Sequence, residues 1–309
     1  MAVLAGVLGF GLDEYGLRTC DASAIPASGA DVVYVRIGAT GTGTGASWSD
    51  AFTDLQAALA ATGPGHQIWV AGGTYTPSPS AKPDRAASFV MQSGIALYGG
   101  FAGTEIDLSE RNAELNPTIL SGDLLGDDTG NFENTADNSY HVVVATDVDD
   151  TGILDGFTIR AGHADGVNMG ANPASKNQGS GINIYFGMPR ILNCIIESNY
   201  SLDHGGINDH GDHTLVRDCI FRDNFSGDHG AGLYIHHHSH THAIGCLFER
   251  NVAVVKGGGA YSQSLHGAVI EQCYFRENVA DLGAGMYNAE LSAAHVISST
   301  FFGNFAHVG

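Results

Sequence analysis

The sequence predicts an all-β protein: a right-handed parallel β-helix, built as a single-chain solenoid of about 26 residues per coil and preceded by an N-terminal capping helix. Two observations predict the solenoid: a recurring sequence motif and a strand-like alternation of apolar residues within that motif. The motif begins at Cys194, Cys219, Cys246, Cys273 and, with serine in the same place, Ser299. A period near 26 with several matched columns is typical of repeat architectures. Alternation with a period of two is typical of strands rather than helices.

Each copy of the motif contains three residues whose location in the coil can be predicted. The cysteine and the phenylalanine two residues later, such as Cys219 and Phe221, both face the interior if the segment is a strand. The asparagine that follows, Asn224 in this copy, is expected to close a turn and to form an amide ladder with its counterparts in neighbouring coils. The cysteines are therefore interpreted as buried thiols, since parallel side chains on stacked coils disfavour a disulfide.

The N-terminal half supplies the capping element. Residues 48–61 place Phe52, Leu55 and Leu59 on one helical face, which predicts an amphipathic helix that plugs the apolar end of the solenoid. The candidate caps of this helix are Ser47 and Ser49.

The domain limits follow from these patterns. Residues 1–31 are expected to be a leader or irregular segment, and residues 32–309 the β-helix, with regular repeats over about 142–309. The last repeat has no comparable plug after it, so we expect a C-terminal continuation or anchoring module beyond this chain.

Composition limits the partners. Lys and Arg number 13 against 33 Asp and Glu, a formal net charge of −20. Such a surface has no basic patch to displace counterions, which argues against nucleic acid. No apolar run reaches the roughly 18 residues of a membrane span.

Two groups of motifs resemble known bacterial proteins. Phe221-Arg-Asp-Asn224 and Gly258-Gly-Ala260 resemble the FxxN and GGA repeats of polymorphic outer-membrane autotransporters. Leu97-Tyr-Gly-Gly-Phe101 in the N-terminal half is similar to segments of secreted right-handed β-helix proteins of the pectate-lyase-like superfamily. The resemblance implies an extracellular or outer cell-surface location. It implies no single activity, because the superfamily includes lyases, glycosidases, epimerases and adhesins.

Histidines concentrate in two consecutive coils and predict a transition-metal site. Imidazoles on adjacent coils, with aspartates beside them, are plausible ligands for Zn²⁺ or Cu²⁺. A solvated stripe of imidazoles is the alternative interpretation. The candidate ligands are His204, His210, His229, His236, His238 and His240.

Carboxylates in the same coils suggest acid–base chemistry, because paired carboxyl groups serve as acid and base in glycoside hydrolysis. Ordinary turn aspartates are the alternative. The candidate catalytic residues are Asp203, Asp209, Asp228 and His229.

An aromatic column and one basic residue suggest a polysaccharide-binding face. Tyr234, Tyr261 and Tyr287 lie two residues after the repeat glycines, one step beyond the inward column, so a ladder on the outer face is expected. Exposed tyrosines suit sugar rings, although neighbour packing explains such a ladder equally well. Arg217 is the candidate cation beside it.

A separate acidic loop contains Asp123, Asp127 and Asp128, hard oxygen donors that fit Ca²⁺ better than a transition metal. A solvated acidic turn is the alternative. No motif for an organic cofactor occurs.

The sequence thus favours an exported β-helix that binds polysaccharide along a lateral face. A polysaccharide lyase or glycoside hydrolase is the first alternative, and a transition-metal-binding protein the second.

Overall fold

A computed structural model describes residues 31–169, 175–289 and 291–308. The chain from Asp31 onward forms one compact unit. The expected leader, residues 1–31, lies outside the described residues except for Asp31. Within the described residues, no helix is long and apolar enough to cross a membrane.

Four parallel sheets, named here A to D in the order in which a coil visits them, form the walls of a parallel β-helix. Sheet A comprises Phe89–Val90, Val143–Thr146, Ile182–Tyr185, Ile207–His210, Leu233–Ile235, Ala260–Ser262 and Met286–Asn288. Sheet B comprises Val32–Val35, His66–Ala71, Ile95–Phe101, Ile153–Asp155, Arg190–Leu192, Leu215–Arg217, His242–Ile244, Val269–Glu271 and His295–Ile297. Sheet C comprises Gly73–Tyr75, Thr118–Ser121, Phe157–Arg160, Ile195–Glu197, Ile220–Arg222, Leu247–Glu249, Tyr274–Arg276 and Thr300–Phe302. Sheet D comprises the two-residue strands His163–Ala164, Tyr200–Ser201, Phe225–Ser226, Val252–Ala253, Val279–Ala280 and Phe305–Ala306.

Each regular coil therefore contributes one strand to each of the four sheets. The fourth strand is only two residues long, and its apolar and small residues give no alternation to detect. It follows the repeat asparagine directly, in the segment interpreted from the sequence as a turn.

Neighbouring coils pair in register, so equivalent residues stack along the solenoid axis. Phe221 pairs with Phe248, and Phe248 with Phe275. Their rings stack with centroids 4.5 Å apart and are at most 1% exposed. Gly259 faces this column, where an added Cβ would overlap the carbonyl oxygen of Gly285 in the next coil and lie only 2.8 Å from Cδ1 of Phe275. The repeat glycine is thus required by the close approach of both the next coil's backbone and the ring.

Each coil has two sharp corners, and at each corner one residue adopts a positive φ. The residue before each repeat cysteine adopts the left-handed conformation, as Asp218 does at φ 54°. The residue before each repeat asparagine does the same, as Asp223 does at φ 56°. This conformation costs a non-glycine residue about 1–2 kcal/mol, so other contacts have to hold each corner.

The asparagine ladder provides those contacts at the corner between sheets C and D. Asn224 Nδ2 donates to the side-chain oxygen of Asn251 (2.9 Å) and to the carbonyl of Ile196 (2.8 Å). The backbone N–H of Asn224 also donates to Asn251 Oδ1. The same three bonds recur at Asn251 and Asn278, as expected.

The cysteine column is confirmed as four buried free thiols, Cys194, Cys219, Cys246 and Cys273. Cys219 Sγ lies 3.5 Å from the carbonyl oxygen of Ile191 in the preceding coil. Ser299 makes the equivalent contact through its hydroxyl group, 3.2 Å from the carbonyl oxygen of Ile270. A short side chain that can donate a hydrogen bond therefore explains this column.

The predicted capping helix exists but is shorter than expected. It spans Leu55–Ala61 rather than 48–61, and its cap is Asp54, not a serine. Phe52 instead forms a parallel bridge with Val35 before the helix begins. Leu55 joins the main core cluster, so the helix does cover the interior. Short 3-10 helices occur at Leu108–Glu110 and Thr135–Asp137.

The ladder can be tested by Asn251→Ala, which removes an interior rung. Buried partners in the preceding and the following coil lose their hydrogen bonds, and each unpaired buried group costs about 1–3 kcal/mol. The free energy of unfolding, measured by urea denaturation, is therefore expected to fall by about 3 kcal/mol or more. The control is Asn304→Ala, at a half-buried rung with fewer partners. Equal losses in the two variants would contradict the proposed role of the ladder.

Candidate functional site: a carboxyl pair and imidazoles at the corner between sheets D and A

The site lies where the chain turns from sheet D into sheet A. At this corner His204 pairs with His229, and His229 with Lys256, in a ladder of isolated parallel bridges. The aspartates before the two histidines, Asp203 and Asp228, are brought to neighbouring coils by the same register. Three of the predicted catalytic residues therefore come together.

The two carboxyl groups form a hydrogen-bonded pair. Asp203 and Asp228 contact each other through their side chains. Nδ1 of His229 lies 2.5 Å from Oδ1 of Asp228, which makes the imidazole the principal partner of that carboxylate. The side chains of all three residues reach solvent, with exposed fractions of 21% for Asp203, 42% for Asp228 and 20% for His229.

The environments of the two carboxyl groups push their pKa values apart. Burial, followed by the charge of Asp228, raises the pKa of Asp203 to about 6. The hydrogen bond with His229 lowers the pKa of Asp228. Near neutral pH the pair therefore holds one ionised group and one group that readily takes a proton, the arrangement that acid–base chemistry requires.

Hydrogen bonding at His204 favours the same assignment. Asn208 donates through Nδ2 to Asn183 Oδ1 (2.9 Å), which leaves Asn208 Oδ1 as the acceptor for His204 Nδ1 (3.1 Å). A neutral imidazole has one donor nitrogen, so Nε2 of His204 carries a lone pair. That nitrogen lies 3.2 Å from Asp203 Oδ1 and stabilises a protonated Asp203.

A segment inserted into the preceding coil borders the pair. The backbone N–H of Asp203 donates to the carbonyl of Asn177 (2.9 Å), and Nδ2 of Asn177 lies 3.4 Å from Asp203 Oδ2. Gly166 and Lys176 pair across the base of this insertion. The C-terminal arm of the segment inserted between His163 and Gly179 therefore borders the histidine-rich coils.

The neighbouring histidines form a packed stack rather than an open metal site. The rings of Tyr185, His210 and His236 stack in succession, and Nε2 of His236 shares Asn208 Oδ1 with His204. Burial lowers the pKa of His204 and His210 to about 3 and that of His236 well below its usual range. These imidazoles therefore stay neutral and serve as packing and hydrogen-bonding groups.

The predicted tyrosine ladder exists, but its expected exposure is wrong for two members. Rings of Tyr234 and Tyr261 stack at 4.9 Å, and those of Tyr261 and Tyr287 at 5.7 Å. Tyr234 is 5% exposed and Tyr261 7%. Since each ring covers the face of the next, the interior rings present no face to a sugar, and neighbour packing explains the ladder.

Two other predicted residues lie apart from the carboxyl pair. Arg217 is on sheet B, 3.7 Å from its neighbour Asp218. Asp209 is 0% exposed, and its carboxyl group accepts hydrogen bonds from the hydroxyl groups of Thr214 and Thr241 and from the backbone of Gly211. Its position between coils is that of a structural group.

Within the described residues, three-donor clusters suited to a metal occur at two places, and neither matches a predicted set in full. Asp212, His213 and His240 converge at the corner between sheets A and B and share only His240 with the prediction. His238 lies nearby, with Nδ1 3.3 Å from Nε2 of His266. The sequence interpretation missed His213 and His266, although the spacing of His213, His240 and His266 matches the coil period.

The second cluster is in the acidic loop and contains Asp123, Asp127 and Asp137. Asp128, the third predicted ligand, instead accepts a hydrogen bond from Asn138 Nδ2 (2.8 Å). Burial raises the pKa of Asp128 to about 6.

Asp209 generates a pH prediction for stability. Burial raises its pKa to about 6 from an ordinary value of 3.8, so the folded state binds this proton more tightly than the unfolded chain. The contribution of Asp209 to stability is present below about pH 4 and falls by about 3 kcal/mol as the pH rises to about 6. Asp209→Asn, which stays neutral, is expected to remove that part of the pH dependence in urea denaturation at pH 4 and pH 7.

The matched control is Asp150→Asn, at an exposed aspartate on a turn, which is expected to keep the pH dependence of the wild type. An Asp209→Asn profile parallel to that of the wild type would show that the buried carboxyl group does not titrate in this range.

Comparison with known proteins supports the fold. No curated protein and no solved structure matches the chain. The family model of the right-handed β-helix region matches residues 134–301, more than half of the chain. This match includes the coils that contain the carboxyl pair. It also indicates that the observed parallel β-helix is right-handed. The protein is therefore a member of the right-handed β-helix family.

Proposed function

We propose that the protein is exported and binds a polysaccharide at the corner between sheets D and A. The observation that carries this proposal is the half-exposed cluster of Asp203, Asp228 and His229 beside the inserted segment. Carboxyl, imidazole and amide groups together accept and donate the hydrogen bonds that sugar hydroxyl groups need.

The charge of the protein selects the class of glycan. With a net charge of −20, the surface repels polyuronates and other acidic chains. The cations nearest the pair are few: Lys256 lies over the ring of Tyr287, at 4.6 Å, and Lys176 over that of Tyr140, at 4.9 Å. A neutral polysaccharide is therefore the favoured ligand.

Cleavage of the bound chain is a second candidate, favoured by the opposite pKa shifts of Asp203 and Asp228. Protonated Asp203 would donate a proton, and ionised Asp228, held by His229, would accept one. A hydrogen-bonded pair is closer together than the roughly 5–9.5 Å between the carboxyl groups of glycoside hydrolases. That difference places binding ahead of hydrolysis.

Binding is tested by affinity electrophoresis in gels that contain neutral polysaccharides, with polyuronates for comparison. The wild type is expected to be retarded by a neutral chain, and Asp203→Asn and Asp228→Asn to lose most of that retardation. Asp223→Asn, the same change on another face, is the control. Retardation by no neutral polysaccharide, or by polyuronates alone, would contradict the proposal.

Cleavage is tested by the release of new reducing ends across pH. Because the acid has to be protonated, the rate is expected to fall as the pH rises through about 6, the pKa of Asp203. Asp203→Asn is expected to abolish the release. A rate that keeps rising above pH 6, or one that survives the substitution, would exclude Asp203 as the acid.

A further inference from the structure

We infer that the corner between sheets A and B holds a transition-metal site in which Asp212, His213 and His240 bind one borderline-soft divalent cation such as Zn²⁺ or Cu²⁺. This inference is independent of the proposed glycan site. The donor set joins two coils, since Asp212 and His213 are on one coil and His240 is on the next.

The donor atoms already have the spacing of a coordination shell. Oδ1 of Asp212 lies 3.0 Å from Nδ1 of His213 and 3.1 Å from Nδ1 of His240. All three donors lie within 4.8 Å of one another. With zinc–ligand bonds of about 2.0–2.2 Å, neighbouring donors in a tetrahedral site are about 3.3 Å apart. Small side-chain movements would therefore admit the ion.

The backbone holds these donors in place before any ion arrives. The N–H of Asp212 donates to the carbonyl of Gly187 in the preceding coil (2.7 Å), and the N–H of His240 donates to the carbonyl of Asp212. The rings of His213 and His240 stack at 4.4 Å with an angle of 6° between their planes. A site whose ligands are preorganised loses less conformational entropy on binding.

The corner also has access and further nitrogen donors. The exposed fraction is 59% for the side chain of Asp212, 33% for His213 and 24% for His240, so an ion can enter from solvent. The ring of His266 is 5.1 Å from that of His240 and adds a fourth group of the same chemistry. Two or more imidazoles with one carboxylate are the ligands typical of Zn²⁺ and Cu²⁺ rather than of Ca²⁺.

The test uses the full chain, purified without a metal column and treated with a chelator. Zn²⁺ is titrated by calorimetry, and thermal midpoints are measured with and without the ion. The wild type is expected to bind one Zn²⁺ and to unfold at a higher temperature when loaded, because the ion links two coils in the folded state. His213→Ala and His240→Ala are expected to weaken binding at least about 100-fold, more than the 10–100-fold typical of an outer partner.

His237→Ala is the matched control, since this histidine is exposed within the same histidine run but lies outside the donor set. Its zinc affinity is expected to equal that of the wild type. Wild-type affinity in both donor variants would overturn the proposal, and so would a loss in His237→Ala as large as theirs. A larger loss in His266→Ala than in both donor variants would also overturn it, because the donors would then be His238 and His266.

A measurement on the wild type covers the case in which a donor variant does not fold. One equivalent of Cu²⁺ is expected to show coupling to at least two imidazole nitrogens in its electron paramagnetic resonance spectrum. A spectrum with oxygen ligands alone would overturn the assignment.

Discussion

The asparagine ladder sets the height at which each coil lies on the one before it. Asn224, Asn251 and Asn278 each donate through Nδ2 to the side-chain oxygen of the next asparagine and to a carbonyl of the preceding coil. The backbone N–H of each also donates to the side-chain oxygen of the next asparagine. The strand spacing of about 4.8 Å is thereby enforced at a corner whose backbone conformation is itself unfavourable. Removing the ladder would leave buried polar groups unpaired in every coil it crosses.

The chemistry of the lateral surface follows from that spacing. Groups that occupy one column in successive coils are brought within a few ångströms of each other, even when they carry charges of the same sign. Aromatic rings and amides stack favourably under this constraint, as in the phenylalanine and tyrosine columns. Like charges do not: burial and then the charge of Asp228 raise the pKa of Asp203, whereas the hydrogen bond with His229 lowers the pKa of Asp228. The candidate site is therefore a consequence of the repeat as much as of its own residues.

The repeat made the interior predictable from sequence, because cysteine, phenylalanine, asparagine and glycine recur at fixed offsets and each has one physical role. The lateral sites were less predictable. Residues 236–241 of the histidine run turn between sheets A and B, so which of their side chains meet depends on loop geometry that strand periodicity does not describe. Pairing of Asp203 with Asp228 could be inferred from their Asp-His-Gly context, whereas the burial of Asp209 could not. His213 and His266 became significant only when the coils were stacked.

The constant distance from cysteine to asparagine divides each coil into two parts with different tolerance for change. The asparagine follows five positions after the cysteine or serine in every copy, from Cys194–Asn199 to Ser299–Asn304, whereas the interval between copies varies. All of that variation, including the inserted segment, falls on the two corners that flank sheet A. Length changes there leave the interior columns aligned. The segment from cysteine to asparagine is thus constant in length, whereas the two corners that flank sheet A vary. New loops could be inserted at these corners, one coil at a time, without repacking the core.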